Sequence, residues 1–515
     1  MARNFKAILI SFGGGIFMGL APAPFNAWFL AWVALVPLWI VIRKTPKFNR
    51  QVILSCLAWG CGYHGLTLFW ITGVHPMTWM GVPWLSSLAI ALFCWLFITC
   101  WGAILVIFWG IIVNRVRFKG KNNFILNSLL IVLIATTCWS LLETLWTNSP
   151  LWWTDLTLTQ SPSNLIILQL GKISGVNTTS IAIVAVNGLL AEVILSWNKI
   201  SQKLTDKLFI FSPITLFLLV HSLGYWLYIQ PIATDNLNPI KVGIIQGNIP
   251  NEIKLYSQGW RQAIAGYTAG YQRLVKQDVD VVLTPEGALP FYWQNILDDS
   301  TIYRAVTQEQ IPIWLGAYGQ TNHGYTNSLF TLTGAGETFS RYDKHKLVPL
   351  GEYIPFESVL GGIIDRLSPL EARQIPGKSN QIFNTPFGRA IVGICYESAF
   401  APYFRRQTKA GGEFIITASN NAHYSHTMPA QHHAQDVIRA IESDRWAARA
   451  TNTGYSAIVD PHGATLWISP LNRYVIHADT IYRRQTQTLY VRWGDWLTPL
   501  LVIFSGIGFL LSSKQ

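Results

Sequence analysis

The stretch "LSSLAIALFCWLFITCWGAILVIFWGIIV", Leu85 to Val113, decides the architecture of the first half of this chain. It is longer than the roughly 20 residues that a helix needs to cross a bilayer, and it carries no charged side chain. The whole chain has 515 residues, of which 12% are charged, and a mean hydropathy of +0.30. This composition is too apolar for an ordinary soluble enzyme and predicts a membrane protein.

Seven further apolar runs accompany this one, so the sequence predicts a bundle of about eight transmembrane helices. The first run could instead be a cleaved signal peptide, because Arg3 and Lys6 precede it, but a second apolar run follows almost at once. The predicted spans are Ala7–Leu20, Phe25–Ile42, Val52–Thr72, Ser86–Val113, Phe124–Leu145, Thr178–Leu195, Leu208–Ile229 and Trp496–Leu511.

The net charge of +12 is compatible with nucleic-acid binding, but the positions of the charges argue against it. Most basic residues of the first half lie in the loops after the second, fourth and sixth spans, whereas residues 73–83 contain none and residues 146–177 contain only Lys172. By the positive-inside rule both termini are cytoplasmic, and the large segment after the seventh span is external. The basic residues are Arg43, Lys44, Lys47, Arg50, Arg115, Arg117, Lys119, Lys121, Lys199, Lys203 and Lys207, with Arg3, Lys6 and Lys514 on the same side.

The chain is therefore expected to consist of a transmembrane domain (1–230, seven spans), an external domain (239–490) and a last transmembrane helix (496–511). In the external domain, continuous Val/Ile/Leu runs predict buried strands, and helical patterns between them predict a layered α/β fold. The predicted strands are 241–249, 280–289, 311–319, 326–334, 389–397, 413–421 and 454–463. The predicted helices are 258–276, 301–310 and 429–449.

Three strand ends of the external domain carry reactive side chains: Glu286 directly follows the apolar run Val281–Leu283, Lys344 lies in "RYDKHKLVPLGEYIP", and Cys395 lies in "GICYE". Cys395 is the single cysteine of this segment, so no disulfide forms within it. Together the three residues suit acyl transfer: a thiolate attacks a carbonyl, a glutamate whose pKa burial raises accepts the thiol proton, and an ammonium stabilises the oxyanion. A second carboxylate, Glu352, would orient the lysine.

The order Glu, Lys, Cys at strand ends resembles the carbon–nitrogen hydrolase (nitrilase) superfamily. With the spans before and after, the whole chain resembles the apolipoprotein N-acyltransferase family. The resemblance rests on "LAPAPFNAWFLAWVALVPL", "IIQGNIP", "TPEGALP", "YDKHKLVPLGEYIPFE", "ICYE", "SNNA" and "RATNTGYSAIVDPHG". It implies a nitrilase-like αββα sandwich and the catalytic triad Glu286, Lys344 and Cys395. It also implies supporting roles for Glu352, Tyr396 and Glu397.

The resemblance also implies an activity. An acyl chain of a membrane phospholipid passes to Cys395 as a thioester, and then to the α-amino group of the S-diacylglyceryl cysteine that begins an apolipoprotein. The implied enzyme is a monomer without metal or cofactor, with no nucleic-acid partner. It lies in the bacterial inner membrane as a multi-pass protein with a periplasmic catalytic domain.

The family usually has tryptophans where this chain has His423 and Tyr256, and both sites are expected to bind substrate. Spacing alone does not distinguish Lys344 from Lys346; the family's Tyr-x-Lys pattern selects Lys344. A metal site is an alternative for one cluster of residues, but their spacing matches no zinc motif. The cluster consists of His423, His426, His432, His433 and Asp436.

Two other functions compete with the transferase. One is a membrane-tethered amidase that passes the acyl group to water. The other is a transporter with a degenerate external domain, which the scarcity of intramembrane charges disfavours.

Overall fold

The computed structural model describes residues 2–117, 124–149, 151–201, 203–232, 239–349, 351–353 and 374–513. Lys119, Lys121, Lys514 and the motif residues 354–357 lie outside these ranges. The chain divides into two compact units. One comprises Met1–Thr72, Ala89–Gln230 and Trp493–Gln515, and the other comprises Gly73–Leu88 and Pro231–Arg492. The domain limits given above stay a prediction.

The first unit consists of apolar helices. Within the described residues, four helical stretches are long and apolar enough to cross a membrane: Trp84–Arg115, Phe124–Thr147, Asn177–Lys199 and Leu204–Tyr228. The helices are α1 (Ala2–Gly19), α2 (Val36–Lys44), α3 (Arg50–Thr67), α4 (Trp84–Arg115), α5 (Phe124–Thr147), α6 (Leu165–Leu168), α7 (Gly171–Ser174), α8 (Asn177–Ser196), α9 (Leu204–Tyr228) and α17 (Leu497–Ser513). The first residues of α4 belong to the second unit.

The predicted span Phe25–Ile42 is not one continuous helix. It forms a 3-10 turn, Trp28–Trp32, followed by α2, which begins with Pro37 in its first turn. Proline lacks the N–H that a helix interior requires and is tolerated at a helix start. The nine residues of α2 rise only about 14 Å, less than the bilayer core. The count of eight spanning helices therefore stays a prediction.

The second unit contains two six-stranded sheets within the described residues, in the orders β12-β1-β2-β3-β4-β5 and β11-β10-β9-β8-β7-β6. Their central strands, β1–β2–β3 and β7–β8–β9, are parallel. The strands are β1 (Pro239–Gln246), β2 (Val281–Leu283), β3 (Ile313–Thr321), β4 (Gly324–Leu332), β5 (Thr338–Asp343), β6 (Phe383–Thr385), β7 (Gly388–Ile394), β8 (Phe414–Ser419), β9 (Ala447–Thr451), β10 (Ala457–Val459), β11 (Thr465–Ile468) and β12 (Val475–Tyr482).

Two apolar clusters hold this unit together. One joins the sheets through residues such as Leu283 and Trp314 of the first and Val392 and Ile416 of the second. The other packs the first sheet against its helices. The helices are α10 (Asn251–Lys254), α11 (Ser257–Val275), α12 (Trp293–Asp299), α13 (Thr301–Glu309), α14 (Ala401–Lys409), α15 (Thr427–Ser443) and α16 (Leu489–Trp493). The α/β fold is thus as predicted, and the αββα layering is taken up below as a proposal.

The seven predicted strands are present, five of them shorter than predicted and two, β3 and β4, shifted by two residues, but the predicted helix 429–449 is wrong at its end. Helix α15 stops at Ser443 because Asp444 adopts a left-handed conformation, φ 53°. The following residues form β9, which pairs with β8 and β10. Its buried run Ala447–Thr451 contains small residues without an alternating pattern, so periodicity does not reveal a strand.

Candidate active site

Cys395 stands at a sharp turn directly after β7. Its φ of 51° is left-handed, an uncommon conformation for a residue with a side chain, and it opens the 3-10 turn Cys395–Ala399. His432 Nε2 donates to the Cys395 carbonyl oxygen at 2.8 Å, while its Nδ1 accepts from Asn421 Nδ2 at 3.0 Å. These contacts fix a strained residue whose side chain is 7% exposed.

The structure brings the other two predicted catalytic residues together at strand ends of the first sheet. Glu286 follows β2 closely and Lys344 follows β5 directly. Lys344 Nζ donates to Glu286 Oε1 at 2.9 Å and to Glu352 Oε1 at 2.6 Å, and the lysine is fully buried. Such a cation between two carboxylates is oriented as well as charged.

The Glu286 carboxylate uses both oxygens. Oε1 also accepts from Asn327 Nδ2 at 2.7 Å, and Oε2 accepts from the backbone N–H of Asn420 at 2.9 Å. Burial is the largest influence and raises the pKa of Glu286, but the charges of Lys344 and Lys254 and the hydrogen bonds from Lys344 and Cys395 together outweigh it, so the net pKa lies below its ordinary value. The expectation of a glutamate with a raised pKa is therefore wrong, because it left out the strength of this ion pair.

The pKa of the Cys395 thiol is shifted upwards, opposite to the pKa of Glu286. Burial, and then the negative charge of Glu286, raise the pKa of Cys395 to about 12, against the lowering effect of Lys344. The thiol donates to the Asn420 carbonyl oxygen, with Sγ 3.9 Å from that oxygen, and its interaction with Glu286 contributes to the low pKa of that carboxyl group. The resting site thus holds a neutral thiol and a carboxylate ready to accept its proton.

The two further carboxylates that the resemblance implies also lie here. Glu352 Oε2 accepts from the Val348 N–H at 2.8 Å, and burial raises its pKa although Lys344 lowers it. Glu397 is fully buried and accepts N–H bonds from Ile394 and His345, both at 2.8 Å. It therefore ties the residue before Cys395 to the residue after Lys344.

Burial raises the pKa of Glu397 to about 7, against its backbone hydrogen bonds. Tyr396 is half-buried and packs edge-on against Phe400, with ring centroids 4.9 Å apart.

The expected substrate-binding residues Tyr256 and His423 both contact Trp79. The His423 ring stacks on Trp79 at 6.4 Å between centroids, and Tyr256 OH lies 3.5 Å from the Trp79 carbonyl oxygen. Trp79 belongs to Gly73–Leu88, which the sequence assigned to a loop between spans and which clusters with the α/β unit. Both side chains are exposed, and their role in substrate binding stays a prediction.

Lys344 and Lys346 have different surroundings, and the choice between them stays a prediction. Lys344 carries the ion pairs, whereas Lys346 Nζ lies over the Phe400 ring, 4.3 Å from its centroid. The histidine cluster is dispersed: His433 bonds to Thr465, and Asp436 pairs with Arg449. Within the described residues, no three His, Cys, Asp or Glu side chains are grouped to hold a metal ion.

Sequence reasoning missed four polar residues around Glu286: Asn251, Lys254, Asn327 and Asn420. Asn327 is an amide inside the buried strand β4, and such a residue needs a polar partner. That signal was available in "TNSLF", but only the fold shows that the partner is Glu286. Burial lowers the pKa of Lys254 to about 8, although Glu286 opposes this shift.

Two protein-family models match different parts of the chain. The model for the apolipoprotein N-acyltransferase N-terminal domain matches residues 14–189, and the carbon-nitrogen hydrolase model matches residues 241–480. An amidase from Nesterenkonia sp. aligns over 52% of this chain and 96% of its own at 16% identity and a TM-score of 0.37, which is too weak to carry an argument.

The relatives are far more similar. The apolipoprotein N-acyltransferase of Nostoc sp. is 55% identical over 498 residues, which cover 96% of this chain and 97% of that protein. The apolipoprotein N-acyltransferase of Synechocystis sp. is 51% identical over 511 residues, covering 96% and 98%. Because this identity extends over nearly the full length, the chain belongs to the apolipoprotein N-acyltransferase family.

Proposed function

We propose that this protein transfers an acyl chain from a membrane phospholipid, through a thioester on Cys395, to the N-terminal amine of the S-diacylglyceryl cysteine of apolipoproteins. The observation that carries the proposal is the buried Glu286–Lys344 pair beside the Cys395 thiol. The names of the relatives support the acceptor class.

In the first half-reaction, Cys395 Sγ attacks the ester carbonyl carbon while its proton passes to Glu286. Lys344 stabilises the oxyanion of the tetrahedral intermediate, and a backbone N–H of the turn at Tyr396 is the expected second donor. The carbon–oxygen bond then breaks, and the lysophospholipid leaves with the proton from Glu286.

In the second half-reaction, the acceptor amine attacks the thioester carbon and forms an amide. Glu286 takes a proton from the amine and returns it to the leaving thiolate of Cys395. The carboxylate is therefore base and then acid in each half-reaction, and its fixed position between Lys344 and Asn420 serves both.

The proposal includes a topology. Eight spans, with a seven-span domain (1–230) and a last helix (496–511), flank a nitrilase-like αββα sandwich (239–490). The one apolar cluster shared by both sheets supports this layering. The protein is a monomer of the inner membrane with cytoplasmic termini and a periplasmic catalytic domain. The basic loops, such as that after Arg43, support this orientation.

The test uses the full-length protein in detergent and its Cys395→Ser variant. Intact-protein mass spectrometry after incubation with phospholipid should show one acyl adduct on the wild type and none on the variant, and only the wild type should N-acylate a diacylglyceryl peptide. N-acylation by a correctly folded Cys395→Ser variant would reject the proposal. Steady release of fatty acid from phospholipid alone would favour the hydrolase instead.

A further inference from the structure

A second buried ammonium lies beside the candidate site. Lys254 ends helix α10 and is 8% exposed, and its Nζ donates to the backbone carbonyl oxygen of Glu286 at 3.2 Å. Among the described residues this is the one acceptor of Nζ, and no carboxylate forms an ion pair with it. An ammonium has three N–H donors, and burying it without a counter-ion is costly.

Lys254 is held in a fixed place relative to Glu286. Asn251, on the same short helix, accepts from Asn420 Nδ2 at 3.1 Å, and the Asn420 N–H in turn binds Glu286 Oε2 at 2.9 Å. Helix α10 thus contacts Glu286 at both ends, through the Lys254 ammonium and through Asn420. The charges of Glu286 and Cys395 both act on Lys254, which places it within the same site.

The neighbouring charges indicate that Lys254 lacks a counter-ion. Lys344 is compensated by Glu286 and Glu352, and both Glu286 oxygens are already occupied. The segment Gly73–Leu88 of the same unit contains no lysine or arginine. Among the described residues Lys254 is therefore a cation next to the reacting groups that has no carboxylate in ion-pair contact, and it is suited to an anion that arrives with a substrate.

Of the two substrates in the proposed function, on which this inference rests, the acyl donor carries that anion. A phospholipid has a phosphodiester on the same glycerol as its reacting ester, whereas the acceptor presents an amine. We propose that Lys254 binds the phosphodiester of the acyl donor and so positions the ester carbonyl against Cys395. Lys254 is thereby a determinant of donor specificity that serves the first half-reaction and not the second.

The experiment compares wild type, Lys254→Met and Lys254→Arg, with the exposed Lys276→Met as matched control. Acyl-enzyme formation is followed by intact-protein mass spectrometry with phosphatidylglycerol, with a diacylglycerol of the same chains, and with a p-nitrophenyl acyl ester. Loss of one charge-assisted hydrogen bond should slow acylation by phosphatidylglycerol about 10- to 100-fold in Lys254→Met. Lys254→Arg should retain most of the rate. Reactions with the two donors that lack phosphate, and transfer from preformed acyl-enzyme to a diacylglyceryl peptide, should slow far less than acylation by phosphatidylglycerol, because they lose only the effect of the Lys254 charge on Glu286.

Other outcomes overturn the inference. Equal slowing with all donors would place Lys254 in the chemical step, and unchanged acylation by phosphatidylglycerol would remove it from recognition. Competition by millimolar inorganic phosphate against the p-nitrophenyl ester, absent in Lys254→Met, would assign a free-phosphate site instead. If wild type itself takes no acyl chain from phosphatidylglycerol but reacts with the p-nitrophenyl ester, the proposed donor fails, and the inference fails with it.

Discussion

Replacing Lys344 by methionine removes one charge and keeps the length of the side chain. Lys344 is fully buried and its Nζ lies 2.9 Å from Glu286 and 2.6 Å from Glu352, so the change leaves two buried carboxylates without their cation. Breaking a buried pair in this way costs about 3–5 kcal/mol of stability. Loss of an oxyanion donor adds about 2.7–4 kcal/mol to the barrier, a 10²–10³-fold slower acylation.

The same substitution should change the pH dependence of the reaction. In the wild type Lys344 holds the pKa of Glu286 below its ordinary value, so Glu286 is already a carboxylate across the neutral range. Stability from this depressed pKa is present above the unfolded pKa and is lost as the pH falls through the folded one. Without Lys344, burial raises the pKa of Glu286, and acylation in the variant should increase with pH until the carboxyl group loses its proton.

The assay is the rate of acyl-enzyme formation from a p-nitrophenyl ester between pH 5 and 9, read by intact-protein mass spectrometry beside thermal unfolding in detergent. Lys346→Met is the matched control, because it removes a lysine only two residues away whose Nζ lies over the Phe400 ring. It should acylate at a rate close to that of the wild type. A fast Lys344→Met variant with an unaltered pH profile would refute the assignment of Lys344.

Three further changes test other parts of the structure. Glu397→Gln should slow acylation about tenfold or more, since it loosens the turn before Cys395 without removing a reactive group; Glu442→Gln, equally buried in α15, should lower thermal stability without this loss. Asp436→Asn should cost about 3–5 kcal/mol in denaturant unfolding, because it leaves Arg449 as an unpaired buried charge. A cysteine introduced after Arg43 should react with an impermeant thiol reagent only after permeabilisation; labelling in intact cells would reverse the proposed topology.

The predictable features of this protein are those that one segment determines. Apolar runs beyond the length of a bilayer specify α4 and α5, and a continuous β-branched run specifies the buried strand β7, because each pattern follows from local burial. The positions of Glu286 and Cys395 at strand ends follow from the same runs. The segment Phe25–Ile42 is an exception. Its apolar composition predicts one continuous helix, but a new helix begins at Val36, with Pro37 in its first turn.

The features that the sequence does not predict depend on contacts between distant segments of the chain. The low pKa of Glu286 requires Lys344, Lys254 and Cys395, which come from three separate parts of the chain. The assignment of Gly73–Leu88 to the α/β unit, with Trp79 against His423, likewise has no local signal. Burial alone predicts the wrong sign for the pKa of Glu286 because partner charges outweigh it.

The charge arrangement also explains how a lone thiol can persist on the proposed periplasmic side. Oxidation requires an exposed thiolate, but Cys395 is 7% exposed and its pKa is raised to about 12, so the resting residue is a neutral thiol. A site that kept its cysteine permanently as a thiolate in an ion pair would not protect the sulfur from oxidation in this way. In the proposed mechanism Glu286 is deprotonated and accepts the proton only as Sγ bonds to the ester carbon, and Lys344 stabilises the resulting oxyanion. Reactivity is thus confined to the moment when a lipid ester occupies the site.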